Sequence, residues 1–279
     1  MASGRIVDYS GSSDSDLDDE EESKESCLKR KLPCSATPEK EMNNKRRHRD
    51  PLPLPDDIKN MFKEKEISVV DNPDFHDGRI RSFPHLAGNW ATHVYIEVER
   101  NEHFAEIQRL LLLELEPFAD FKAFSQLHIS LSKTVPIRHH WIQPLTDSLS
   151  VSLQDAVSTS CGFCAIKLYT NEENTRSFLS LQVTSSTATL FDYITYVDKA
   201  FKDFNLPPFY SDPSFHVSIA WSLGDVINAI PEEIMQNLQN HLDNYLCEHI
   251  NSFVISITEI HCQIGNKHFT FPLKSKKRY

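Results

Sequence analysis

A five-residue pattern, in which apolar residues alternate with one histidine and one serine, occurs twice in the chain and restricts its fold more than any other feature. The two copies are Leu127-His-Ile-Ser-Leu131 and Phe215-His-Val-Ser-Ile219. Successive side chains of a β-strand point to opposite faces, so each copy is predicted to be a strand whose aliphatic residues enter the core. The histidine and serine of each copy then share the other face of a sheet.

The bare His-x-Ser tripeptide is weak evidence, because a chain with 13 histidines and this serine content contains about one or two such triplets by chance. The alternation around both copies is much harder to obtain by accident. A third triplet of this kind, His268-Phe-Thr270, follows Gly265 closely and is interpreted as an edge strand outside the site. The alternative for the first two triplets is a pair of core histidines with serines that satisfy backbone groups.

Strand and helix patterns alternate in two rounds, with one His-x-Ser strand in each round. This order predicts an α+β fold of two pseudo-symmetric lobes of antiparallel sheet with flanking helices around a central cleft, and with the two motifs facing one another. The predicted strands are Val94–Val98, Gln126–Ser132, Phe163–Tyr169, Phe178–Thr184, Ser214–Trp221, Phe253–Ile264 and His268–Leu273, and the predicted helices are His103–Leu115, His140–Val157, Ala188–Phe204 and Pro231–Leu246.

The distribution of aromatic residues predicts where the folded part begins. Tyr9 is the only Phe, Trp or Tyr before Phe62, and aromatic residues recur regularly after it. A segment with so few large apolar side chains cannot bury enough surface to fold. We therefore predict a disordered tail over residues 1–55 and a single folded domain over residues 56–279.

The tail carries an acidic, serine-rich stretch from Ser13 to Glu22 and two basic clusters, Lys29–Lys31 and Lys45–Arg49. Such basic clusters are typical of nuclear localisation signals, and a solvated disordered arm explains them equally well. The six cysteines follow no leading apolar segment, which indicates a reducing, intracellular compartment. The run Leu110–Leu113 is too short to span a bilayer, so no membrane role is expected.

The formal net charge of −11 argues against a protein that coats nucleic acid with a broad basic face. An acidic enzyme that acts on RNA is better suited to reading one chain end, with weak affinity for long polymer. No metal or other cofactor is expected. Cys161 and Cys164 have the spacing of zinc ligands, but no second ligand pair accompanies them, so we interpret both as buried cysteines.

Two histidines with ordinary pKa values suit the cleavage of RNA without a metal. One takes the proton of a ribose 2′-hydroxyl, and the other protonates the departing 5′-oxygen. Two serine hydroxyls would donate hydrogen bonds to the phosphate oxygens as negative charge builds up in the transition state. The product of this chemistry is a 2′,3′-cyclic phosphate.

The paired motifs resemble those of the two-histidine phosphoesterase superfamily, whose bilobal fold surrounds a cleft. Four further stretches are similar to the U6 small nuclear RNA phosphodiesterase family within it, and with the acidic start they extend the resemblance over nearly the whole chain. They are Gly88–Tyr95, Arg138–Ile142, Tyr169–Asn171 and Phe209–His216. This resemblance implies a nuclear 3′-to-5′ exoribonuclease that trims the oligouridine end of U6 RNA and leaves a terminal 2′,3′-cyclic phosphate.

The resemblance also implies roles for individual residues. His128 would be the base, His216 the acid, and Ser130 with Ser218 the phosphate ligands. Tyr210 would stack on the terminal base, as aromatic rings do in RNA binding without sequence preference, although ordinary packing is the alternative. The remaining predicted substrate contacts are Ser211, Asp212, Pro213, Ser214, Glu172 and Ile129.

Glu172 departs from the family pattern, which more often has an amide at this position. A carboxylate can accept the uracil N3 proton but cannot donate a hydrogen bond to a carbonyl oxygen. The preference for uridine over adenosine is the part of the prediction that this departure affects.

Two other functions stay open on the sequence alone. A related enzyme could open 2′,3′-cyclic phosphates on transfer RNA or nucleotide ends. A nucleotide-binding module without turnover could keep the same fold, although the complete histidine and serine pairs argue against it. The expected partner is the single-stranded, uridine-rich 3′ end of U6 RNA, and the protein is expected to be a nuclear monomer.

Overall fold

The computed structural model describes residues 88–275 together with Pro73, Asp77, Gly78 and Phe83. The predicted tail over residues 1–55, its basic clusters and the predicted start of the domain at residue 56 lie outside the described residues. The strands are β1 Asn89–Val98, β2 Lys122–Ala123, β3 Leu127–Ser130, β4 Val135–Arg138, β5 Thr159–Thr170, β6 Arg176–Val183, β7 His216–Leu223, β8 Val254–Ile257, β9 Glu259–Ile264 and β10 Lys267–Pro272. The helices are α1 Glu102–Leu115, α2 Ile142–Leu153, α3 Thr187–Lys202 and α4 Glu232–His249.

The strands form one sheet in the order β10-β9-β1-β3-β7-β6-β5-β8, with β2 beside β7 and β4 beside β1. Every pairing between these strands is antiparallel. The two His-x-Ser strands, β3 and β7, are neighbours at the middle of the sheet. Both therefore have a strand on each side, and their side chains are held by the sheet rather than by a loop.

The two halves of the sheet repeat one another around this central pair. In one half, β1, α1 and β3 follow in sequence and β1 pairs with β3; in the other, β6, α3 and β7 do the same. The predicted α+β class and the two pseudo-symmetric antiparallel halves are confirmed. The motifs, however, lie side by side on adjacent strands, whereas the sequence predicted that they face one another.

The helices form two pairs, α1 with α4 and α2 with α3. Their buried residues recur at helical spacing, as Phe104, Ile107, Leu111 and Leu115 do in α1. Asn101 caps α1, because its side chain accepts a hydrogen bond from the Phe104 amide at 2.9 Å. These apolar helix faces, together with the aliphatic residues of the strands, form a single core.

Several elements differ from the prediction, and β1 and β5 begin earlier than predicted, at Asn89 and Thr159. Residues 139–141 form a 3₁₀ turn, so α2 begins at Ile142 and contains Pro144 in its first turn, where a missing amide is tolerated. The predicted strand Phe253–Ile264 is divided at Thr258 into β8 and β9. The short strands β2 and β4 were not predicted, because neither shows a period-2 pattern long enough to be recognised.

The two edges of the sheet are joined near the C-terminal end of the described residues. β8 pairs with β5 at one edge, and β9 pairs with β1 near the other edge, with only Thr258 between them. Val157, just before β5, also forms a parallel bridge with Lys274, just after β10. The sheet is therefore rolled, and the last two strand pairings connect both halves.

Candidate active site

The central pair of residues in the two His-x-Ser strands is buried. Ile129 of β3 lies opposite Val217 of β7, and neither side chain is exposed to solvent. Because adjacent residues of a strand point to opposite faces, the histidine and serine on each side of this pair point away from the core. We call the face of the sheet that carries them the polar face.

The antiparallel register brings the four motif residues together on the polar face. With Ile129 opposite Val217, His128 lies level with Ser218, and Ser130 lies level with His216. Residues directly opposite in such a pair have Cβ atoms about 4.5–5.5 Å apart. The two histidines thus lie on one diagonal and the two serines on the other, an arrangement able to surround one small anionic group.

The orientation of His216 is fixed by a backbone carbonyl and an aromatic ring. Its Nδ1 lies 2.6 Å from the Ser214 carbonyl oxygen, which can only accept, so Nδ1 carries a proton and Nε2 faces the polar face. Tyr169 stacks on the imidazole at 4.1 Å between ring centroids. Burial lowers the pKa of His216, the Ser214 carbonyl opposes this shift, and the charge of Lys167 adds to it.

His128 is the more difficult of the two histidines to protonate. Burial, with a smaller contribution from the charge of His216, lowers the pKa of His128 to about 4. His93 and Tyr95 of β1 contact the ring edge-on, at centroid distances of 5.0 Å and 5.7 Å. With its pKa at about 4, the imidazole is predominantly neutral at neutral pH, as a general base requires.

The serines of the two motifs have different partners. The Ser218 hydroxyl lies 3.0 Å from that of Ser180, a fully buried residue of β6. The Ser130 hydroxyl lies 3.3 Å from Nε2 of His93. Immediately after Ser218, Ile219 is the extra residue of a β-bulge, since Ser218 pairs with Ser180 and the next pair is formed by Ala220. Bulges of this kind often redirect side chains beside active sites.

Tyr210 lies in a cluster that sequence reasoning predicted only in part. It is 47% exposed, in the loop between α3 and β7. Nζ of Lys133 lies 4.3 Å from the centroid of its ring and 2.6 Å from a carboxylate oxygen of Glu172. Hydrogen bonding to Lys133 lowers the pKa of Glu172, and a hydrogen bond from Tyr210 contributes in the same direction. The carboxylate is therefore ionised and already paired.

The predicted loop Ser211–Ser214 divides into two parts. Ser211 and Asp212 are exposed, and Pro213 is half-buried. The Ser214 hydroxyl lies 2.7 Å from that of Tyr169 and accepts a hydrogen bond from Gln182 at 3.2 Å. Ser214 therefore supports the ring and the tautomer of His216 in this structure.

Ile129 was a predicted substrate contact, but its side chain cannot reach a substrate at the polar face. The side chain is fully buried in the core beside Val217. Strand alternation is the reason, because Ile129 lies between His128 and Ser130 and must point to the opposite face. A substrate at the polar face can meet only the backbone of this residue.

The sequence analysis assigned no role to His93, Tyr95, Lys133 or Tyr169, although all but Lys133 lie in stretches that carry the family resemblance. His93 and Tyr95 belong to the strand whose apolar residues Val94, Ile96 and Val98 were recognised, and they are the intervening positions of the same alternation. That signal was available. The pairing of β1 with β3, which brings His93 to Ser130, is a long-range contact that periodicity does not reveal.

The two cysteines of the C-x-x-C spacing are not alike. Cys161 is buried, and burial raises the pKa of its thiol to about 12, whereas Cys164 is exposed. The prediction that both are buried is therefore wrong for Cys164, because β5 shifts its register between Phe163 and Ala165. His268 and Thr270 lie on β10 at the edge of the sheet, so the interpretation of this triplet as an edge strand is confirmed.

Within residues 88–275 and the four isolated described positions, no cluster of three or more His, Cys, Asp or Glu side chains could hold a metal ion. No helix of the described part is both long and apolar enough to cross a membrane.

Comparisons with known proteins agree on one family. The model of the family described as HVSL, uncharacterised conserved protein, matches residues 52–272. A protein of Rattus norvegicus named U6 snRNA phosphodiesterase 1 is 39% identical over 224 residues, which are 80% of this chain and 84% of that protein. The protein of the same name from Homo sapiens is 37% identical over 227 residues, 81% of this chain and 85% of that protein.

Among solved structures, Kluyveromyces marxianus Usb1 with uridine monophosphate aligns with a TM-score of 0.48 and 15% identity. The alignment covers 66% of this chain and 98% of that one.

Proposed function

This chain belongs to the U6 snRNA phosphodiesterase family, and on this premise we propose that it removes nucleotides from the 3′ end of U6 RNA by metal-independent attack of a 2′-hydroxyl. It is an RNA phosphodiesterase of the two-histidine class that acts in U6 3′-end processing. The observation that carries the mechanism is the register of β3 and β7, which brings two histidines and two serines together on one polar face.

In the proposed reaction, neutral His128 takes the proton of the 2′-hydroxyl on the penultimate ribose. The 2′-oxygen forms a bond to the adjacent phosphorus, the bond from phosphorus to the 5′-oxygen of the terminal nucleoside breaks, and His216 protonates that oxygen. The terminal nucleoside leaves, and the shortened RNA ends in a 2′,3′-cyclic phosphate. The low pKa of His128 and the Ser214 carbonyl behind His216 support this division of roles.

The phosphate is the group that the two serines would bind. Ser130 and Ser218 lie on the other diagonal of the site, where their hydroxyls can donate to the two non-bridging oxygens. An anionic phosphate also raises the pKa of a nearby histidine. His216, whose Nδ1 already donates to a carbonyl, is better prepared to carry a proton than His128.

The terminal base is proposed to stack on Tyr210, with Ser211, Asp212 and Pro213 beside it. Lys133 lies over the ring at 4.3 Å and Phe209 contacts it edge-on at 4.9 Å, and the exposed part of the ring is the part that would meet a base. We expect Tyr210→Ala to raise KM about tenfold, because stacking contributes about 1–3 kcal/mol per base, whereas Tyr210→Phe should stay close to wild type. Equal KM values for the two variants would contradict the stacking role.

Glu172 is proposed to contact the base through the uracil N3 proton. Its carboxylate is already held by Lys133 at 2.6 Å, so it is positioned to accept rather than to donate. Comparison of trimming rates on uridine-ended and adenosine-ended RNA for the wild type and Glu172→Gln tests this contact. An unchanged ratio of the two rates would exclude it.

The decisive experiment follows the 3′ end of a uridine-tailed RNA during incubation with purified protein in excess chelator. Trimming that continues in chelator, leaves a cyclic phosphate and stops when the penultimate ribose lacks its 2′-hydroxyl is the expected result. Loss of trimming in chelator, or equal cleavage of the deoxy substrate, would overturn the mechanism. A linear 2′- or 3′-phosphate as the product would favour the cyclic-phosphate-opening alternative, and binding without turnover the non-catalytic one.

The remaining assignments concern partner, assembly and location. We propose that the substrate is the single-stranded, uridine-rich 3′ end of U6 RNA, and that the protein is a monomer in the nucleus. Sedimentation that shows a stable dimer would exclude the monomer. Cytoplasmic retention of a fluorescent fusion after replacement of the Lys45–Arg49 cluster is expected if that cluster is the nuclear signal.

A further inference from the structure

His93 is a half-buried titratable residue beside the site that the mechanism above does not use. Its Nε2 lies 3.3 Å from the Ser130 hydroxyl, and its ring contacts that of His128 edge-on at 5.0 Å. His93 thus contacts both the proposed general base, His128, and one of the proposed phosphate ligands, Ser130. Both contacts lie on the polar face, because β1 pairs with β3 and places Tyr95 opposite Ser130.

The position of His93 is fixed by backbone and ring contacts. The neighbouring residue Val94 accepts hydrogen bonds from the amides of Leu131 and Ser132 at 2.9 and 3.2 Å, and its own amide donates to the Ser132 hydroxyl at 2.8 Å. The imidazole stacks on Tyr95 at 5.1 Å, with 11° between the ring planes. The nitrogen that faces Ser130 is therefore held against it.

The direction of the His93–Ser130 hydrogen bond follows from the single proton of a hydroxyl. If Nε2 of His93 accepted that proton, Ser130 would present only lone pairs to an anionic phosphate, which repels them. If Nε2 carries a proton and donates it to Oγ, the hydroxyl proton of Ser130 is free to point at a phosphate oxygen. Only the second arrangement allows Ser130 to bind phosphate.

The charge state of His93 agrees with this direction. Burial, and after it the charge of His128, lowers the pKa of His93 well below its ordinary value. A neutral imidazole carries one proton, which Nε2 can hold while Nδ1 carries none. A neutral ring also places no positive charge beside His128, which must itself stay neutral to act as a base.

We propose that His93 is a positioning residue for the phosphodiesterase reaction, whose Nε2–H donates to Ser130 and turns the Ser130 hydroxyl proton toward the scissile phosphate. This inference rests on the proposed function of Ser130 as a phosphate ligand. It extends the site from four residues on two strands to five residues on three. His93 acts through Ser130 and does not itself touch the substrate.

Two substitutions of His93 separate the hydrogen bond from the shape of the ring. His93→Gln places an amide N–H near the position of Nε2, whereas His93→Phe keeps a flat ring without a donor. We expect His93→Phe to lower kcat about 10- to 100-fold with little change in KM, since a donor that acts mainly in the transition state is weakened. His93→Gln should recover most of this loss.

A double-mutant cycle with Ser130→Ala provides the readout that a structural role would not produce. If His93 acts through Ser130, His93→Phe causes no further loss of kcat when Ser130 is already alanine. Multiplicative losses in the double variant would overturn the proposal, and so would a His93→Gln variant as impaired as His93→Phe. Thermal unfolding of each variant reports whether the fold is retained.

The matched control is His268→Gln, which removes an exposed histidine of β10 from a similar triplet outside the site. This variant should trim like the wild type. If the wild-type protein itself fails to trim uridine-tailed RNA in chelator, the proposed function fails and not the role of His93. If the wild type trims but the losses of kcat in the double-mutant cycle are multiplicative, the proposed function stands and only the role of His93 is excluded.

Discussion

At the scale of single residues, the site depends on two histidines in different surroundings. His216 donates through Nδ1 to a carbonyl and stacks on Tyr169, whereas His128 is enclosed by the rings of His93 and Tyr95. Burial lowers the pKa of both, and only His216 has an acceptor that favours its protonated form. The two roles of base and acid thus follow from what each ring contacts, although both rings occupy the same kind of motif.

Loss of either histidine should abolish activity and leave the fold intact. We expect His128→Ala and His216→Ala each to lower kcat about 100- to 10 000-fold, the range typical of a missing general base or acid. Single-turnover trimming of uridine-tailed RNA measures the effect, with His268→Ala as the active control. Unfolding of the two variants in place of inactivity would support the alternative of core histidines.

The protein should lose stability as the medium becomes acidic. Folding lowers the pKa of His128 from its ordinary value to about 4, so the unfolded chain takes up this proton at a higher pH than the folded one. The stabilisation is complete above the ordinary histidine pKa and is lost as the pH falls from there toward 4, by up to about 3 kcal/mol. Urea unfolding at pH 7.5 and 5.5 measures the loss.

His128→Gln should lose less stability than the wild type between pH 7.5 and 5.5, because it has no imidazole at this position to protonate. His268→Gln, at the exposed edge strand, should keep the wild-type difference. An identical fall in stability for the wild type and His128→Gln would contradict the assignment.

At the scale of elements, a helix residue supports the bulge that follows the second motif. Gln108 of α1 is 2% exposed, and its amide donates to the carbonyls of Phe124 at 2.9 Å and Ile219 at 2.6 Å. The Ile219 carbonyl also accepts a hydrogen bond from the Phe124 amide at 2.9 Å. The backbone carbonyl at the bulge is therefore hydrogen-bonded by a helix side chain. This contact connects α1 to β7 directly beside Ser218.

Gln108→Leu should lower the free energy of unfolding by about 2 kcal/mol, because it removes the buried hydrogen bond to the Ile219 carbonyl and leaves the Phe124 carbonyl without this donor. The matched control is Gln143→Leu on α2, where the exposed amide donates only to the next turn, to Asp147 at 2.8 Å. That change should stay within about 0.5 kcal/mol of the wild type. Equal losses in the two variants, measured by chemical denaturation, would show that the buried contacts carry no special weight.

The elements also show what the sequence could and could not predict. The four motif residues, the strands β3, β6 and β7 and the four helices follow from local periodicity. Most of their bounds were predicted closely, whereas β1 begins at Asn89 instead of Val94 and α2 ends at Leu153 instead of Val157. Local patterns carry no information about which strands pair. The contact of His93 with Ser130, the division at Thr258 and the bulge at Ile219 arise from pairing and could not be read from periodicity.

The loop residues illustrate the same limit. Lys133 lies between β3 and β4, whereas Glu172 lies between β5 and β6, 39 positions later in the chain. Each is an ordinary charged residue in a turn when the sequence is considered alone. Their pairing next to Tyr210 becomes visible only when the two halves of the sheet are brought together.

At the scale of the whole molecule, charge and function fit a protein that reads one end of its substrate. The chain carries a formal net charge of −11. Lys133, which lies beside Tyr210 where the terminal nucleobase is proposed to stack, is already paired with Glu172. Few phosphates upstream of the cleaved one can then be neutralised. Recognition should depend on the terminal nucleotide and its phosphate rather than on the length of the polymer.

The salt dependence of binding tests this description. We expect the logarithm of Kd for single-stranded RNA to change with the logarithm of salt concentration with a slope near one, because each neutralised phosphate contributes about 0.7 for single strands. Binding titrations between about 50 and 200 mM salt would measure this slope. A slope of about four or more would indicate a long electrostatic track that this charge distribution does not suggest.

The joining of both sheet edges near Thr258 has a consequence for incomplete translation products. A stop codon anywhere between the codons for Leu223 and Val254 would leave every motif residue encoded, yet β8, β9 and β10 would be missing. The truncated polypeptide would then present unpaired backbone along β1 and β5, the condition that promotes association between chains. Such nonsense alleles are expected to yield aggregated or degraded protein, detectable by solubility and proteolysis, even though their catalytic side chains are all present.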